Sequence, residues 1–245
     1  MSTASFRFKQ FEVYHDRCAM KVGTDGVLLG AWAEPALAFT DKKIRILDVG
    51  TGSGLIALML CQRYHKSRID AIDIDSEAVA QAAENFSRSP WAERLNASCR
   101  SLQSLCTERE RVHEENGYDM IVSNPPYFRN SLKNPDKSKE QARHTDSLSY
   151  EELICCSEAL LTDNGILALI LPAEAEEDIM EIARNKDLYP IRLTHVFPKP
   201  GKEKKRILAA FSREKRSYIP NDLYIESSES PRSEAYQELT KDFYL

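Results

Sequence analysis

A short motif at the end of a predicted strand could orient an amino group for attack. Asn124-Pro125-Pro126-Tyr127 follows an apolar run that ends at Val122. The side-chain carbonyl of Asn124 and the backbone carbonyl of Pro125 are two hydrogen-bond acceptors, and the prolines stiffen the turn that carries them. Tyr127 adds a flat face for stacking a planar group. Two such acceptors favour the pyramidal nitrogen that a delocalised amine needs before it can attack, so we assign catalytic roles to Asn124, Pro125 and Tyr127.

A glycine-rich turn lies upstream, in the segment Asp48-Val49-Gly50-Thr51-Gly52-Ser53-Gly54. Its glycines let the backbone turn sharply from strand to helix and let a ligand approach the main chain. A dinucleotide-binding motif would have its third glycine at position 55, so the spacing disfavours NAD. We expect a cofactor site at Asp48, Gly50, Gly52 and Gly54. Asp48 would hold the turn and bring negative charge near a cationic ligand.

Asp73 ends the next predicted strand and could accept hydrogen bonds from both hydroxyls of a ribose. Asp75 competes for this role, but Asp75 or Ser76 is better interpreted as the N-cap of the following helix. Alone, Asn-Pro-Pro-Tyr would be read as a rigid surface turn. Its position downstream of the glycine turn favours methyl transfer to a planar amide or an aromatic amine.

Strand and helix patterns alternate along the chain, which predicts an α/β fold with a parallel sheet covered by helices on both faces. The predicted strands are 44–49, 69–74, 120–123, 166–171, 191–196 and 207–211, and the predicted helices are 55–64, 77–86, 150–161 and 174–185. Ser149 and Glu152 predict a capping box for the third helix, and Asn164-Gly165 predicts its end. Alternating apolar residues at 6, 8, 11 and 13 predict a small hairpin or an edge ribbon. The polar segment 128–148 is a long loop of the functional or disordered kind.

Composition limits the class of protein. A chain of 245 residues with 42% apolar content fits one domain over residues 1–245, with no apolar run long enough for a membrane span and no signal peptide. We therefore expect a soluble, cytoplasmic protein. The six cysteines form no C-x-x-C pair and most lie in apolar patterns, which predicts buried, reduced thiols, and the histidines show no metal-ligand spacing. A net charge of -5 argues against coating nucleic acid over the whole surface.

Two local features could still contact nucleic acid. Residues 198–206 form a basic turn between the last two predicted strands, with Lys202, Lys204, Lys205 and Arg206 as candidate ligands of RNA phosphate. Arg143-His144, at the end of the polar loop, is either a second phosphate contact or a solvated loop.

The motifs resemble those of class I S-adenosylmethionine-dependent methyltransferases that modify amino groups. Within that group, Met20-Lys21-Val22-Gly23-Thr24-Asp25-Gly26-Val27-Leu28-Leu29-Gly30-Ala31-Trp32 and the closing residues 239–245 are similar to the bacterial tRNA adenine N6-methyltransferases that act beside the anticodon of valine tRNA. The resemblance runs nearly end to end.

The resemblance implies a Rossmann-like seven-stranded, mostly parallel sheet whose last strand is antiparallel. It implies S-adenosylmethionine as cofactor, with residues 1–43 covering its site. Lys21, Gly23, Thr24 and Asp25 become candidate contacts of the methionine part, although residues 24–26 alone predict only a turn. Ser101 and Asn124 complete the candidate cofactor residues. Many relatives have an acidic residue where this chain has residues 99–102, so recognition of the cofactor adenine is open.

The implied partner is tRNA rather than DNA or a membrane, and a monomer is favoured. Two alternatives remain. Glutamine methyltransferases of peptide release factors share Asn-Pro-Pro-Tyr but carry a helical N-terminal domain, for which 43 residues are too few. A non-catalytic cofactor-binding or RNA-binding factor is the other alternative.

Overall fold

A computed structural model describes residues 5–18, 21–36, 43–112, 117–125 and 148–245, with the backbone alone over 109–112. The strands are β1 (Ser5–Arg7), β2 (Glu12–Tyr14), β3 (Ile44–Val49), β4 (Ser67–Asp73), β5 (Leu95–Cys99), β6 (Tyr118–Ser123), β7 (Leu161–Pro172), β8 (Tyr189–Phe197), β9 (Arg206–Ser212) and β10 (Asn221–Tyr224). The α-helices are α1 (Thr24–Trp32), α2 (Leu55–Arg63), α3 (Ser76–Arg88), α4 (Leu102–Val112), α5 (Tyr150–Leu160), α6 (Glu176–Arg184) and α7 (Glu234–Thr240).

The main sheet has eight strands within the described residues, in the order β10-β8-β9-β7-β6-β3-β4-β5. Strand β9 is antiparallel to both of its neighbours, and the other pairs are parallel. The α/β class and the mostly parallel sheet are therefore confirmed. One strand is antiparallel as expected, but it is β9, and the last strand along the chain, β10, is parallel to β8. The expected count of seven lacks β10, a four-residue edge strand whose pattern is too short to detect.

Side chains of the central strands alternate between two apolar layers. Ile46 of β3 and Val122 of β6 face the layer that packs against α1, α2, α3 and α7. Leu47 and Ile121, one position away, face the layer that packs against α4, α5 and α6. Helices cover both faces because the central strands β3, β6 and β7 are apolar on both sides, as their apolar runs predict.

Helix α1, like α4, α7 and strand β5, is missing from the sequence-based predictions. Residues 26–32 are all buried, so the segment lacks the polar face by which an amphipathic helix is recognised. A side chain at Gly30 would place its Cβ 2.7 Å from Sδ of Met59, so glycine permits close packing of α1 on α2. None of the helices in the described ranges is long and apolar enough to cross a membrane.

The capping box of α5 is confirmed, since the Ser149 hydroxyl accepts from the backbone N–H of Glu152 and the Glu152 carboxylate accepts from that of Ser149. The predicted stop at Asn164-Gly165 is wrong. The helix ends at Leu160 and the chain continues directly into β7, which contains both residues. Gly165 is needed there because a Cβ would lie 2.8 Å from the backbone oxygen of Tyr118.

The predicted hairpin is confirmed as the antiparallel pair of β1 and β2. It rests on the C-terminal segment, where the backbone N–H of Lys9 donates to Phe243 (2.8 Å) and the Phe8 ring stacks on Tyr244. The prediction of mostly buried thiols is wrong. Although all six cysteines are free, only Cys61 is buried, and Cys99 and Cys155 are exposed.

Gly54 is the N-cap of α2, and both its backbone conformation and its packing require glycine. Its φ of 81° is in the left-handed region, and an added Cβ would lie 2.5 Å from Cε1 of Phe86 on α3. Gly201 has a similar φ of 76° but has no atom within 4 Å of the Cβ position. The two glycines therefore separate the backbone requirement from the packing requirement.

We predict that Gly201→Ala lowers the free energy of unfolding by about 1 to 2 kcal/mol through backbone strain alone. Gly54→Ala should lower it by roughly a further 1 to 3 kcal/mol, because Phe86 is buried and must shift. Urea denaturation of both variants measures the difference. Equal losses would mean that Phe86 yields without cost and that the contact does not constrain the turn.

Candidate active site

A cleft of about 980 Å³ lies at the carboxyl ends of β3, β4, β5 and β6, the edge at which parallel α/β sheets bind ligands. Nine of the eleven residues predicted to bind a cofactor line it: Lys21, Gly23, Thr24, Asp25, Gly50, Gly52, Asp73, Ser101 and Asn124. Asp48 and Gly54 are not among the lining residues, since Asp48 is fully buried beneath the turn and Gly54 packs against Phe86.

The glycine turn is fixed against the end of β4. The backbone N–H groups of Gly50 and Thr51 both donate to the carbonyl of Ile72, at 2.9 and 3.0 Å. Gly50 and Gly52 have φ values of 71° and 53°, which explains why glycine is needed at these positions. The turn therefore exposes main chain to the cleft, as predicted.

Asp73 connects this turn to the next helix. Its Oδ2 accepts from the Gly52 N–H (2.9 Å) and its Oδ1 accepts from the Asp75 N–H (3.1 Å). A carboxylate can accept about four hydrogen bonds, so acceptor capacity remains for a ligand in the cleft. Asp75 is the N-cap of α3, as predicted, and accepts from the Glu77 N–H at 2.9 Å.

Asp48 holds the turn from below. The Thr51 hydroxyl donates to its Oδ2 at 2.6 Å, while Oδ1 accepts no hydrogen bond of normal geometry from the described residues. Burial raises the pKa of Asp48 to about 7, against the lowering effects of the Thr51 hydroxyl and the Ala57 backbone N–H. The side chain is consequently only partly ionised at neutral pH.

Asn124 and Pro125 follow β6 at the wall of the cleft, where Asn124 is half-buried and Pro125 is buried. The Ser123 hydroxyl donates to the carbonyl of Val49 at 2.8 Å, which joins the ends of β6 and β3 beside the glycine turn. The two motifs that the sequence separates are therefore neighbours in space. The predicted site residues Tyr127, Arg143 and His144 lie outside the described residues.

The basic residues predicted to meet RNA divide into two groups. Arg206 donates through Nε to Oδ2 of Asp25 (2.9 Å), and Lys204 pairs with Glu176. Lys202 and Lys205 are exposed, and together with Lys199 they line a smaller depression of about 420 Å³ that also includes Glu203 and Glu226. The lysines at 199, 202 and 205 form no ion pair within the described residues.

The end of the cleft beside β4 and β5 contains residues whose role the sequence left open. Ser101 lines it and its hydroxyl accepts from the Ser104 N–H at 3.1 Å, which starts α4. Gln103 donates to Glu152 at 3.3 Å, and the Ile74 side chain is 56% exposed there. The sequence signal that could have identified these residues is their position shortly after a strand, with Ile74 following β4 and Ser101 and Gln103 following β5.

Strand order divides the carboxyl edge at β6. The cleft lies on the side of β3, β4 and β5, whereas β7, β9 and β8 continue on the other side. Strand β8 ends and antiparallel β9 begins at this same edge, so the basic turn between them lies on it as well. Asn124 thus stands between the cleft and the basic turn.

Comparison with known proteins agrees with this arrangement. The methyltransferase small domain family matches residues 35–181. A protein of Bacteroides fragilis named tRNA1(Val) (adenine(37)-N6)-methyltransferase is 46% identical over 245 residues, covering 100% of this chain and 99% of its own. One of the same name from Parabacteroides distasonis is 48% identical over 251 residues, with the same shares covered.

The fold is also found among solved structures. A protein of Agrobacterium tumefaciens described as a predicted O-methyltransferase superposes with a TM-score of 0.69 at 18% identity, covering 89% of this chain and 96% of its own. Such a likeness concerns the fold alone. Similarity over the full length, together with the glycine turn beside Asn124-Pro125, means that the chain belongs to the family of tRNA1(Val) (adenine(37)-N6)-methyltransferases.

Proposed function

We propose that the protein transfers a methyl group from S-adenosylmethionine to N6 of adenine 37 in the valine tRNA for which its relatives are named. The observation that carries the proposal is the position of Asn124 and Pro125 at the wall of a cleft built on the glycine turn. The names of relatives 46% and 48% identical supply the substrate.

In this proposal, different parts of the cleft suit different parts of the cofactor, which fixes the orientation in which the cofactor would bind. Asp73 has acceptor capacity for the ribose hydroxyls, and the apolar Ile74 with Ser101 lies on the side away from β6 and suits the adenine. Asp25 in the first turn of α1 and Lys21 just before that helix would hold the methionine part. Both residues belong to the N-terminal segment that would cover the cofactor site within a single domain. When bound, the cofactor would supply a methyl group on a positively charged sulfur, and these residues would hold that sulfur toward the β6 side of the cleft.

Asn124 and Pro125 would act on the substrate adenine. The Asn124 side-chain carbonyl and the Pro125 backbone carbonyl accept the two N6 hydrogens, which turns the nitrogen lone pair toward the methyl group. Pro125 has no N–H to compete for these acceptors. A proton leaves to water after transfer, so no strong general base is required, and Tyr127 would stack on the adenine.

The basic turn would bind RNA phosphates. Lys199, Lys202 and Lys205 are exposed around one depression at the carboxyl edge, between strands that lie on the other side of β6 in the sheet order from β3, β4 and β5. An adenine taken out of the anticodon loop could then enter the cleft while its neighbours stay on the basic surface. Recognition would rest on shape and phosphate contacts rather than on base reading.

We predict that Asn124→Ala loses at least about 100-fold of methyl transfer, because one of the two oriented acceptors is removed. Binding of tRNA should stay within about threefold, which a mere loss of folding would not allow. The assay is methyl incorporation into unmodified valine tRNA followed by nucleoside mass analysis. The exposed Asn96→Ala on β5 is the matched control. Label found only in peptide release factor would contradict the RNA substrate while leaving the amine chemistry intact.

Cofactor binding should depend on pH through Asp48. In the unliganded protein the pKa of this buried carboxyl is about 7, and a cationic sulfur nearby favours its charged form, so binding releases a proton. Affinity for S-adenosylmethionine should therefore rise about five- to tenfold between pH 6 and 8 and level off above pH 7. S-adenosylhomocysteine, which has no sulfonium charge, should show a smaller rise, and Asp48→Asn should remove the difference. Isothermal titration at several pH values measures both ligands. An identical pH dependence for the two ligands would mean that Asp48 does not sense the sulfonium charge.

Replacement of Lys199, Lys202 and Lys205 by Ala should weaken tRNA binding and reduce the slope of log affinity against log salt by about 2 to 3, because fewer counterions are released. A control triple variant changes Lys43, Lys66 and Lys186, which are exposed near the amino ends of the strands. Filter binding at salt concentrations from about 50 to 300 mM measures the slope for each variant. An unchanged slope in the first variant would remove the basic turn from the RNA path.

A further inference from the structure

Two residues predicted to meet different ligands contact each other instead. Asp25 lines the cleft in the first turn of α1, and Arg206 begins β9 beside the basic turn. The Arg206 Nε donates to Asp25 Oδ2 at 2.9 Å, and the two side chains are only 29% and 24% exposed. Arg206 Nη1 also donates to the backbone oxygen of Lys205 at 2.8 Å, which fixes the orientation of the guanidinium.

The first turn of α1 has no side-chain cap. Its N-cap is Gly23, which offers no side-chain hydrogen bond, and the first intrahelical bond from Val27 to Gly23 is long at 3.3 Å. Glycine also occupies position 26, within the same turn. The ion pair with Arg206 therefore stabilises a helix start that its own sequence leaves weak.

The other end of α1 is attached to the same region of the sheet. The Trp32 indole N–H donates to Thr194 at 3.0 Å, and the Arg192 guanidinium lies 4.3 Å from the Trp32 ring centroid and donates to its backbone oxygen at 3.1 Å. Both partners belong to β8. Strands β8 and β9 thus fix α1 at its two ends, on either side of the buried segment that packs on α2.

We infer that Arg206 is a positioning residue for the cofactor site, acting through Asp25, rather than a ligand of RNA phosphate. The inference rests on the proposed cofactor function. A phosphate would have to compete with a fixed, partly buried carboxylate for this guanidinium, whereas Lys199, Lys202 and Lys205 present no such competition within the described residues. Loss of Arg206 would remove this ion pair from Asp25 and with it the contact that joins the first turn of α1 to β9 at the edge of the cleft.

The test is isothermal titration with S-adenosylhomocysteine and, separately, tRNA binding. Arg206→Gln should weaken S-adenosylhomocysteine about 10-fold and tRNA by less than about twofold, which corresponds to the loss of one charge-assisted contact. Arg206→Lys should recover most of the affinity, because the positive charge still reaches Asp25. Weaker tRNA binding with unchanged cofactor affinity would identify Arg206 as an RNA ligand and overturn the inference.

Arg213 provides a matched control at the other end of the same strand. It lies one residue beyond β9, is 30% exposed and pairs with Glu158 at 2.8 Å, away from the cleft. Arg213→Gln should lower the melting temperature without changing the affinity for S-adenosylhomocysteine. A similar loss of cofactor affinity in both arginine variants would indicate general destabilisation and contradict a positioning role.

A double-mutant cycle with Asp25→Asn tests whether the effect passes through Asp25. Once Asp25 is neutral, Arg206→Gln should change cofactor affinity by less than about twofold, since contacting residues are not additive. Full additivity would mean that Arg206 acts independently of Asp25 and would overturn the inference. If the unmodified protein fails to bind S-adenosylhomocysteine, the cofactor proposal is wrong; if it binds and the variants bind equally, only the role of Arg206 is wrong.

Discussion

The hydrogen bond from the Gly52 N–H to the Asp73 carboxylate, 2.9 Å long, is the contact on which the site depends. It joins the turn after β3 to the end of β4, and the same carboxylate receives the Asp75 N–H at the start of α3. One side chain thus sets the relative positions of two strand ends and a helix. The arrangement is possible only because Gly50 and Gly52 adopt positive φ, which leaves main chain rather than side chains facing the cleft.

The antiparallel direction of β9 determines which residues lie at the carboxyl edge of the sheet. Because β9 runs against its neighbours, its first residue lies at the carboxyl edge, where Arg206 reaches Asp25. A parallel strand would present its last residue there instead. The turn that precedes β9 carries the lysines at the same edge, so one topological feature supplies both the support for α1 and the basic surface. In the proposed enzyme, cofactor and RNA sides are therefore built from a shared element.

The sequence predicted what is local and missed what is distant. The glycine turn, the N-cap at Asp75 and the capping box at Ser149 depend on residues a few positions apart, and each was found where expected. The partners of Arg206 and Lys204 could not be predicted, because Asp25 is 181 residues away and Glu176 comes from another element. Helix α1 was not predicted for a different reason. Residues 26–32 are all buried, so the helix has no polar face, and tertiary packing rather than an amphipathic pattern determines it.

In the proposed reaction, the distribution of charge lets an acidic protein bring a polyanion to its site. Four carboxylates line the cleft, from Asp25, Asp73, Asp75 and Glu152, against the cations Lys21 and Arg100. The Arg100 guanidinium is paired with Glu108 and the Asp25 carboxylate with Arg206, which reduces the effect of both charges and leaves more carboxylates than cations along the cleft. Phosphates are therefore disfavoured in the cleft and favoured at the lysines of the turn between β8 and β9. In the proposed reaction an uncharged base can cross from one region to the other where the backbone cannot, and Asn124 stands at that crossing. The electrostatic division would thereby admit the methyl acceptor while excluding the rest of the nucleic acid.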